Sequence, residues 1–257
     1  MAVTNNLFDL TDRVAVVTGS SRGIGLSLAN ALASAGATVV INARDERALK
    51  EAESQLAGQG FAVHAHVADV TDQEQVTSMI DRVEAEVGPI EILVNSAGIQ
   101  QRAPFLEFPI DGFEKLLDVN LVAPFRMAQA VGKKMAERGR GKIVNIGSVQ
   151  SQLGRPTIAP YTATKGGLML LTRGLCADLA PMGIQVNMLS PGYFATKLTE
   201  ALVEDVDFSD WLAKRTPAGR WGDVSELGGA VVFLSSDASS FVNGQTLYVD
   251  GGMTAVV

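Results

Sequence analysis

The chain has one cysteine and two histidines, and no apolar run reaches the roughly 20 residues of a membrane span. Each shortage closes off a class of function. A lone Cys176 excludes an internal disulfide and points to a reducing compartment, the cytoplasm. It falls in an apolar helical pattern, which predicts packing rather than a catalytic thiol. His64 and His66 share one face of a strand and could hold zinc as a pair, but no cysteine or third histidine is near them in sequence, so no metal is expected. Residues 1–11 lack the basic start and apolar stretch of a signal peptide, so no membrane partner is expected either. The net charge of −7 disfavours nucleic acid. An anionic ligand must then be met by local cations and backbone N–H groups, which makes individual arginines informative.

What is present is enough chain for one large α/β domain, 1–257, with a full core. Strand-like runs near 13–18, 37–42, 61–67, 90–94, 142–146, 183–189 and 245–249 alternate with helical patterns near 24–35, 45–57, 72–87, 110–137, 160–180 and 224–235. Such alternation predicts a doubly wound parallel sheet of about seven strands, Rossmann-type. Residues 192–222 break the pattern. They hold Tyr193, Phe194, Trp211 and Trp221, and their place after the sixth strand reads as a lid over the substrate. Glu204, Asp205, Asp207 and Asp210 in this stretch lack the spacing of a calcium loop and read as a solvated lid face.

Two local patterns carry chemistry. The buried-strand run at 13–18 breaks into Gly19-Ser20-Ser21-Arg22-Gly23-Ile24-Gly25 and is followed by a helical pattern. A strand, a glycine turn and a helix N-terminus together form an anion site of backbone N–H groups. The glycine spacing is G-x3-G-x-G rather than the commoner G-x-G-x-x-G. The second pattern is Tyr161 and Lys165, four apart on one helix face. A fixed ammonium there is expected to lower the phenol's pKa toward that of a working proton donor. Ser148, just past the strand at 142–146, can hold a substrate oxygen beside the tyrosine.

Together these stretches resemble the short-chain dehydrogenase/reductase family over nearly the whole chain. Thr18 to Gly25 matches its cofactor motif. Asn95-Ser96-Ala97-Gly98 matches its Asn-Asn-Ala-Gly motif, with Ser96 in place of the second Asn. Asp118-Val119-Asn120 carries its fourth catalytic residue, and Pro191-Gly192 with Thr196 matches the segment over the nicotinamide. The resemblance implies strand order 3-2-1-4-5-6-7 and a cofactor across the switch point between strands one and four. It implies a tetrad of Asn120, Ser148, Tyr161 and Lys165. Tyr161 is the acid/base, Ser148 stabilises the oxyanion, Lys165 also bonds the nicotinamide ribose, and Asn120 holds a water linking Lys165 to solvent. The implied cofactor contacts are Gly19, Ser21, Arg22, Gly23, Ile24, Gly25, Asn42, Arg44, Asp69 and Val70 at the adenine, Asn95, Ala97, Gly98, Tyr161, Lys165, Pro191, Gly192, Phe194 and Thr196. It also implies a homotetramer, which suits the excess of apolar residues in the helices at 110–137 and 160–180 and the apolar tail Met253-Thr254-Ala255-Val256-Val257.

Two questions of specificity turn on arginines. NAD-binding relatives place an acidic residue at the end of the second strand to meet the ribose 2′-OH. Here that position is Ala43, followed by Arg44. Arg44 and Arg22 can both meet a 2′-phosphate, since the guanidinium fork bonds two oxygens. NADP is therefore expected over NAD; Asp45, the contrary sign, also reads as a helix N-cap. For the substrate, the stretches at 98–104, 146–151 and 155–161 and the C-terminal tail resemble the gluconate 5-dehydrogenase branch. That branch interconverts D-gluconate and 5-keto-D-gluconate, so the expected partner is a small keto or hydroxy sugar acid. Gln100, Gln101, Gln150 and Gln152 could bond sugar hydroxyls. Arg102, and after it Arg155, could hold the carboxylate. With Ser148, Tyr161 and Tyr193 these complete the expected substrate contacts. The alternative enzyme is a 3-oxoacyl-carrier-protein reductase, whose acidic partner would need a basic landing patch. Lys133, Lys134, Arg138, Arg140 and Lys142 read more simply as cations at a helix end. An alternative of another class is a non-catalytic NADP-binding regulator on the same fold.

Overall fold

The computed structural model describes residues 7–197 and 199–257. Residues 1–6 of the N-terminal reading and Leu198 of the expected lid lie outside them. The strands are β1 (Val14–Thr18), β2 (Thr38–Ala43), β3 (Val63–Val67), β4 (Ile90–Asn95), β5 (Gly141–Ile146), β6 (Ile184–Pro191) and β7 (Thr246–Val249). All pair in parallel in one sheet, ordered β3-β2-β1-β4-β5-β6-β7, the order the resemblance implies. Every residue of β1, β4 and β5 is buried. Their apolar residues stand in succession, as at Val14–Val17, Ile92–Val94 and Ile143–Val144, because helices cover both faces of the sheet.

The helices are α1 (Gly23–Ser34), α2 (Glu46–Ala57), α3 (Gln73–Glu86), α4 (Ile110–Leu117), α5 (Ala123–Arg138), α6 (Ala159–Leu179), α7 (Glu200–Val203), α8 (Val206–Arg215) and α9 (Gly228–Ser235). Leu28 and Leu32 of α1, Leu49 and Leu56 of α2, and Val231 and Leu234 of α9 pack on one face. Val76, Ile80 and Val83 of α3 and Met127, Val131 and Met135 of α5 pack on the other. Burying each such side chain contributes about 1.5–3 kcal/mol, so the sheet is clamped from both sides. Cys176 is half-buried and packs at the edge of the second layer, in keeping with the packing role.

Two departures from the sequence reading bear on the site. The helix expected over 110–137 is broken by a π turn, Asp118–Val122, between α4 and α5. Pro124, in the first turn of α5, has no N–H to donate, and its ring opposes the carbonyl four residues back, at Asn120; a widened turn relieves both. Residues 192–222, which the sequence marks only as a break in the strand–helix pattern, carry helices of their own. They form α7 and α8, and a bridge between Phe194 and Gly222 closes their base. Asp205, one of the four acidic residues noted there, is the N-cap of α8 and accepts from Phe208 N.

Candidate active site

The expected site residues gather beyond the carboxyl ends of β1, β2, β4, β5 and β6, at the crevice where the strand order reverses between β1 and β4. That crevice is the usual ligand position in open α/β sheets. Its floor is the glycine turn after β1. Gly19 has φ +64, and a Cβ there would lie 2.6 Å from Ala97 Cα. A Cβ on Gly25 would lie 2.3 Å from the Gly19 carbonyl oxygen. Only glycine fits either position. Thr18 Oγ1 ties the two sides of the crevice, accepting from Ser96 N at 3.0 Å and Ala97 N at 3.1 Å. Ser20, which the sequence reading passed over, donates to Val17 O and accepts from Asn42 N, fastening the turn to β2.

The start of α1 differs from those of its neighbours. Asp45 caps α2 and Asp72 caps α3, but Arg22 makes no side-chain cap and no acidic residue stands in the first turn of α1. Its first N–H groups thus meet no carboxylate and face the crevice beside half-exposed Ser21 and exposed Gly23. A side-chain-free cradle at an uncapped helix N-terminus fits a pyrophosphate.

Thr18 pairs with Asn42, so Arg22 and Arg44 emerge beyond the ends of adjacent strands. Both are exposed. Arg44 Nη1 lies 3.4 Å from Asp69 Oδ2. Burial raises the Asp69 carboxyl, but bonds from the Thr71 backbone and hydroxyl, with Arg44, outweigh it and hold the carboxyl below its ordinary value. Asn42 is buried, and its amide donates to His66 O and Ala68 O. It braces β2 against β3, and its amide N–H groups are turned away from the crevice. Val70 and Asn95 are buried as well, and Asn95 donates to Asn145 Oδ1 at 2.9 Å. Asn145 in turn donates to Thr172 Oγ1, a polar layer under the site that no motif announced.

Tyr161 enters at the first turn of α6 behind Pro160, and Lys165 follows one turn on. Tyr161 stands near enough to Ser148 for the serine hydroxyl to act on its phenol, and Ser148 caps a short 3-10 turn and accepts from Gln150 N at 3.1 Å. Lys165 Nζ donates to Ile146 O at 2.8 Å and lies 5.8 Å from the Tyr161 ring centroid. The lowered phenol pKa expected from the sequence is not found here. Burial pushes Tyr161 up to about 12, against the opposing pull of the Ser148 hydroxyl. Burial also holds Lys165 down to about 8. The ammonium is directed at a carbonyl rather than at the phenolic oxygen, so desolvation dominates both groups.

Asn120 sits in the π turn and is fully buried. Its Oδ1 accepts from Ile99 N at 2.8 Å and its Nδ2 donates to Ile99 O at 2.9 Å and to Thr164 Oγ1 at 3.2 Å. Thr164 donates onward to Tyr161 O at 2.8 Å. The loop after β4, the π turn and the tyrosine backbone are thereby linked through a threonine that sequence reading missed. It lies inside the Tyr-x-x-x-Lys spacing, whose intervening positions carry no signal of their own. A Cβ on Gly98 would stand 3.3 Å from Asn120 Oδ1 and 3.8 Å from Lys165 Nζ, which shows how closely these groups meet.

The outer wall holds the remaining residues. Arg155 Nη1 donates to Tyr193 Oη at 3.1 Å. Arg102 is close enough for the Arg155 charge to act on it; burial and then that charge hold its guanidinium below the ordinary value. Gln150 is buried, and its Oε1 has no hydrogen-bond partner among the described residues. Gln101 lies against Gly112 of α4, and Gln152 is exposed. Phe194 is buried in the core beneath the wall, and Gly222 abuts its ring. A Cβ on Gly192, next to Pro191, would meet Asp250 Cα at 2.7 Å, and Thr196 N bonds Thr199 Oγ1.

A glycine cradle for an anion beside a buried tyrosine–serine–lysine group can move a proton at a carbonyl or alcohol oxygen. Comparison with known proteins agrees with that chemistry. The family model described as enoyl-(acyl carrier protein) reductase, a short-chain dehydrogenase model, matches residues 19–254. The gluconate 5-dehydrogenase of Gluconobacter oxydans is 56% identical over 249 residues, 97% of each chain. The 5-keto-D-gluconate 5-reductase of Escherichia coli is 49% identical over 253 residues, 98% of this chain and all of the relative. Among solved structures, a gluconate 5-dehydrogenase from Burkholderia cenocepacia in complex with NADP and tartrate superposes with a TM-score of 0.95. It shares 57% identity and covers 98% of both chains. The cleft geometry and these matches, spanning almost the whole length, place this chain in the short-chain dehydrogenase/reductase family of oxidoreductases.

Proposed function

We propose that this protein interconverts D-gluconate and 5-keto-D-gluconate with NADP(H), in the cytoplasm, using Tyr161 as proton donor in reduction and acceptor in oxidation. The observation that carries the reading is Tyr161 beside Ser148, with Lys165 one turn on and 5.8 Å from the tyrosine ring centroid, next to the glycine crevice. Two relatives named for the gluconate and 5-ketogluconate reaction, and a third bound to NADP and a hydroxy acid, favour the sugar acid. The turn at 19–25 and the start of α1 would hold the pyrophosphate, and Lys165 the ribose. The bound cofactor supplies or takes the hydride. Ser148 orients the substrate oxygen and stabilises charge developing on it. Tyr161, protonated at neutral pH because its pKa is raised, hands over its proton in ketone reduction. Residues 192–222 act as the lid.

A steady-state assay of NADPH oxidation tests the reading. Turnover of 5-ketogluconate supports it. Turnover of acetoacetyl thioester alone points to an acyl-carrier-protein reductase, and cofactor binding without turnover to a regulator.

Specificity for NADP rests on Arg44 and Arg22, with Ala43 where a carboxylate would exclude phosphate. Arg44→Asp is expected to shift the ratio of kcat/KM from NADPH toward NADH by about tenfold or more, since it removes a phosphate partner and adds a repelling charge. Arg22→Ala should weaken NADPH selectively. An unchanged ratio in both variants defeats the 2′-phosphate assignment.

The functional unit is a homotetramer in this reading. Phe105, Leu106, Ile110, Phe125 and Leu170 on and around α4, α5 and α6 are exposed in the single chain, as are Val256 and Val257 of the tail. Apolar surface of this kind suits symmetric interfaces. Sedimentation should give one species of four chains, and a stable monomer at micromolar concentration contradicts the assignment.

A further inference from the structure

The two arginines at the mouth of the cleft are held differently. Arg155 lies on the connection that runs from Ser148 to Tyr161. Its Nη1 donates to Tyr193 Oη at 3.1 Å, and its guanidinium carbon stands 4.7 Å from the Phe208 ring centroid. Both contacts are to residues in 192–222. The Tyr193 ring meets Phe208, Trp211 and Trp221 at centroid separations of 5.6, 6.2 and 5.8 Å. Trp221 Nε1 donates to Ser209 Oγ of α8 at 3.1 Å. Arg155 therefore ties the catalytic connection to an aromatic cluster that holds α8 in place, through one hydrogen bond and one cation–π contact.

The connection is itself stiff. Thr157 has φ +71, a left-handed conformation that a β-branched residue rarely adopts, and its carbonyl accepts from Ala103 N at 3.2 Å. That bond fixes the Arg155 connection to the loop carrying Arg102. Arg102 makes no hydrogen bond or ion pair among the described residues. Its whole fork is thus available to a carboxylate, whereas Arg155 already commits Nη1 to Tyr193 and lies over Phe208.

We propose that Arg155 is a positioning residue: it latches the segment 192–222 over the cleft through Tyr193 and Phe208, and leaves the substrate carboxylate to Arg102. The proposal rests on the sugar-acid reductase reading only for its second half. A latch displaces the lid for every substrate when lost, whereas a carboxylate ligand matters only for anions.

The chain has two tryptophans, Trp211 and Trp221, and both belong to this segment, so tryptophan emission reports on it alone. Arg155→Met in the full chain should make that emission more open to acrylamide quenching. It should also lower kcat/KM for 5-ketogluconate and for a neutral ketone by a similar factor, roughly tenfold, as expected when a lid no longer sets geometry. Tyr193→Phe removes one oxygen with little risk to folding. It should reproduce part of both effects, and the double variant should lose less than the two single losses combined. Unchanged quenching in Arg155→Met overturns the latch, and a KM increase confined to the keto acid overturns it and makes Arg155 a carboxylate ligand. Quenching needs no substrate. If 5-ketogluconate is not turned over, the functional reading fails and the latch is still decided by emission.

Discussion

Tyr161→Phe is expected to lower kcat for ketone reduction by about 10²–10⁴, the usual cost of losing a general acid, while NADPH binding stays near that of the parent. The ring still fills its site beside Lys165, and only the phenolic oxygen near Ser148 is lost. The pH dependence sharpens the test. Burial raises the phenol to about 12, so the proton is present through neutral pH. Reduction, which consumes that proton, should hold level there. Oxidation needs the phenolate and should climb as pH rises toward the tyrosine's pKa. In the phenylalanine variant the residual oxidation should lose this climb. A folded variant, checked by its melting curve, with near-parental kcat removes Tyr161 from the mechanism.

Arg102→Ala is expected to raise KM for a keto-sugar acid by roughly tenfold to a hundredfold while leaving a neutral ketone almost unaffected. A charge-assisted bond to a carboxylate contributes on the order of 1.5–3 kcal/mol, and each 1.4 kcal/mol is about tenfold in affinity. Burial and the Arg155 charge both disfavour the free Arg102 cation, and an incoming anion offsets that charge. Arg155→Ala is the comparison. It should affect charged and neutral substrates alike. Should Arg102→Ala be indifferent to substrate charge while Arg155→Ala discriminates, the two roles are reversed. Indifference in both leaves the sugar-acid reading without its charge argument.

Much of this protein was legible in its sequence because period and glycine placement are local properties. The runs that became β1, β4 and β5 are buried throughout, with consecutive rather than alternating apolar residues, since both their faces are covered, and alternation with helical patterns dictates parallel pairing. Gly19 and Gly25 announced a backbone free of side chains at an anion site, and the structure, with Ala97 and the Gly19 carbonyl close by, leaves no room for a Cβ at either. The spacing of Tyr161 and Lys165 determined that they share a helix face. What the sequence could not decide depends on distance through space. Asn42 and Asn95 are implied cofactor contacts by motif position, and only the fold shows that their amide N–H groups donate to oxygens within the sheet. Pro124 was visible, but the π turn it helps to set, and the link from Asn120 through Thr164 to Tyr161, need the helices in place. The phenol's pKa ran opposite to expectation because desolvation is a property of the whole fold, while a sequence shows only the neighbouring charge. The division of labour between Arg102 and Arg155 is the clearest case. Both are loop cations in the sequence. Only folding brings Tyr193 and Phe208, far along the chain, against one of them and leaves the other open.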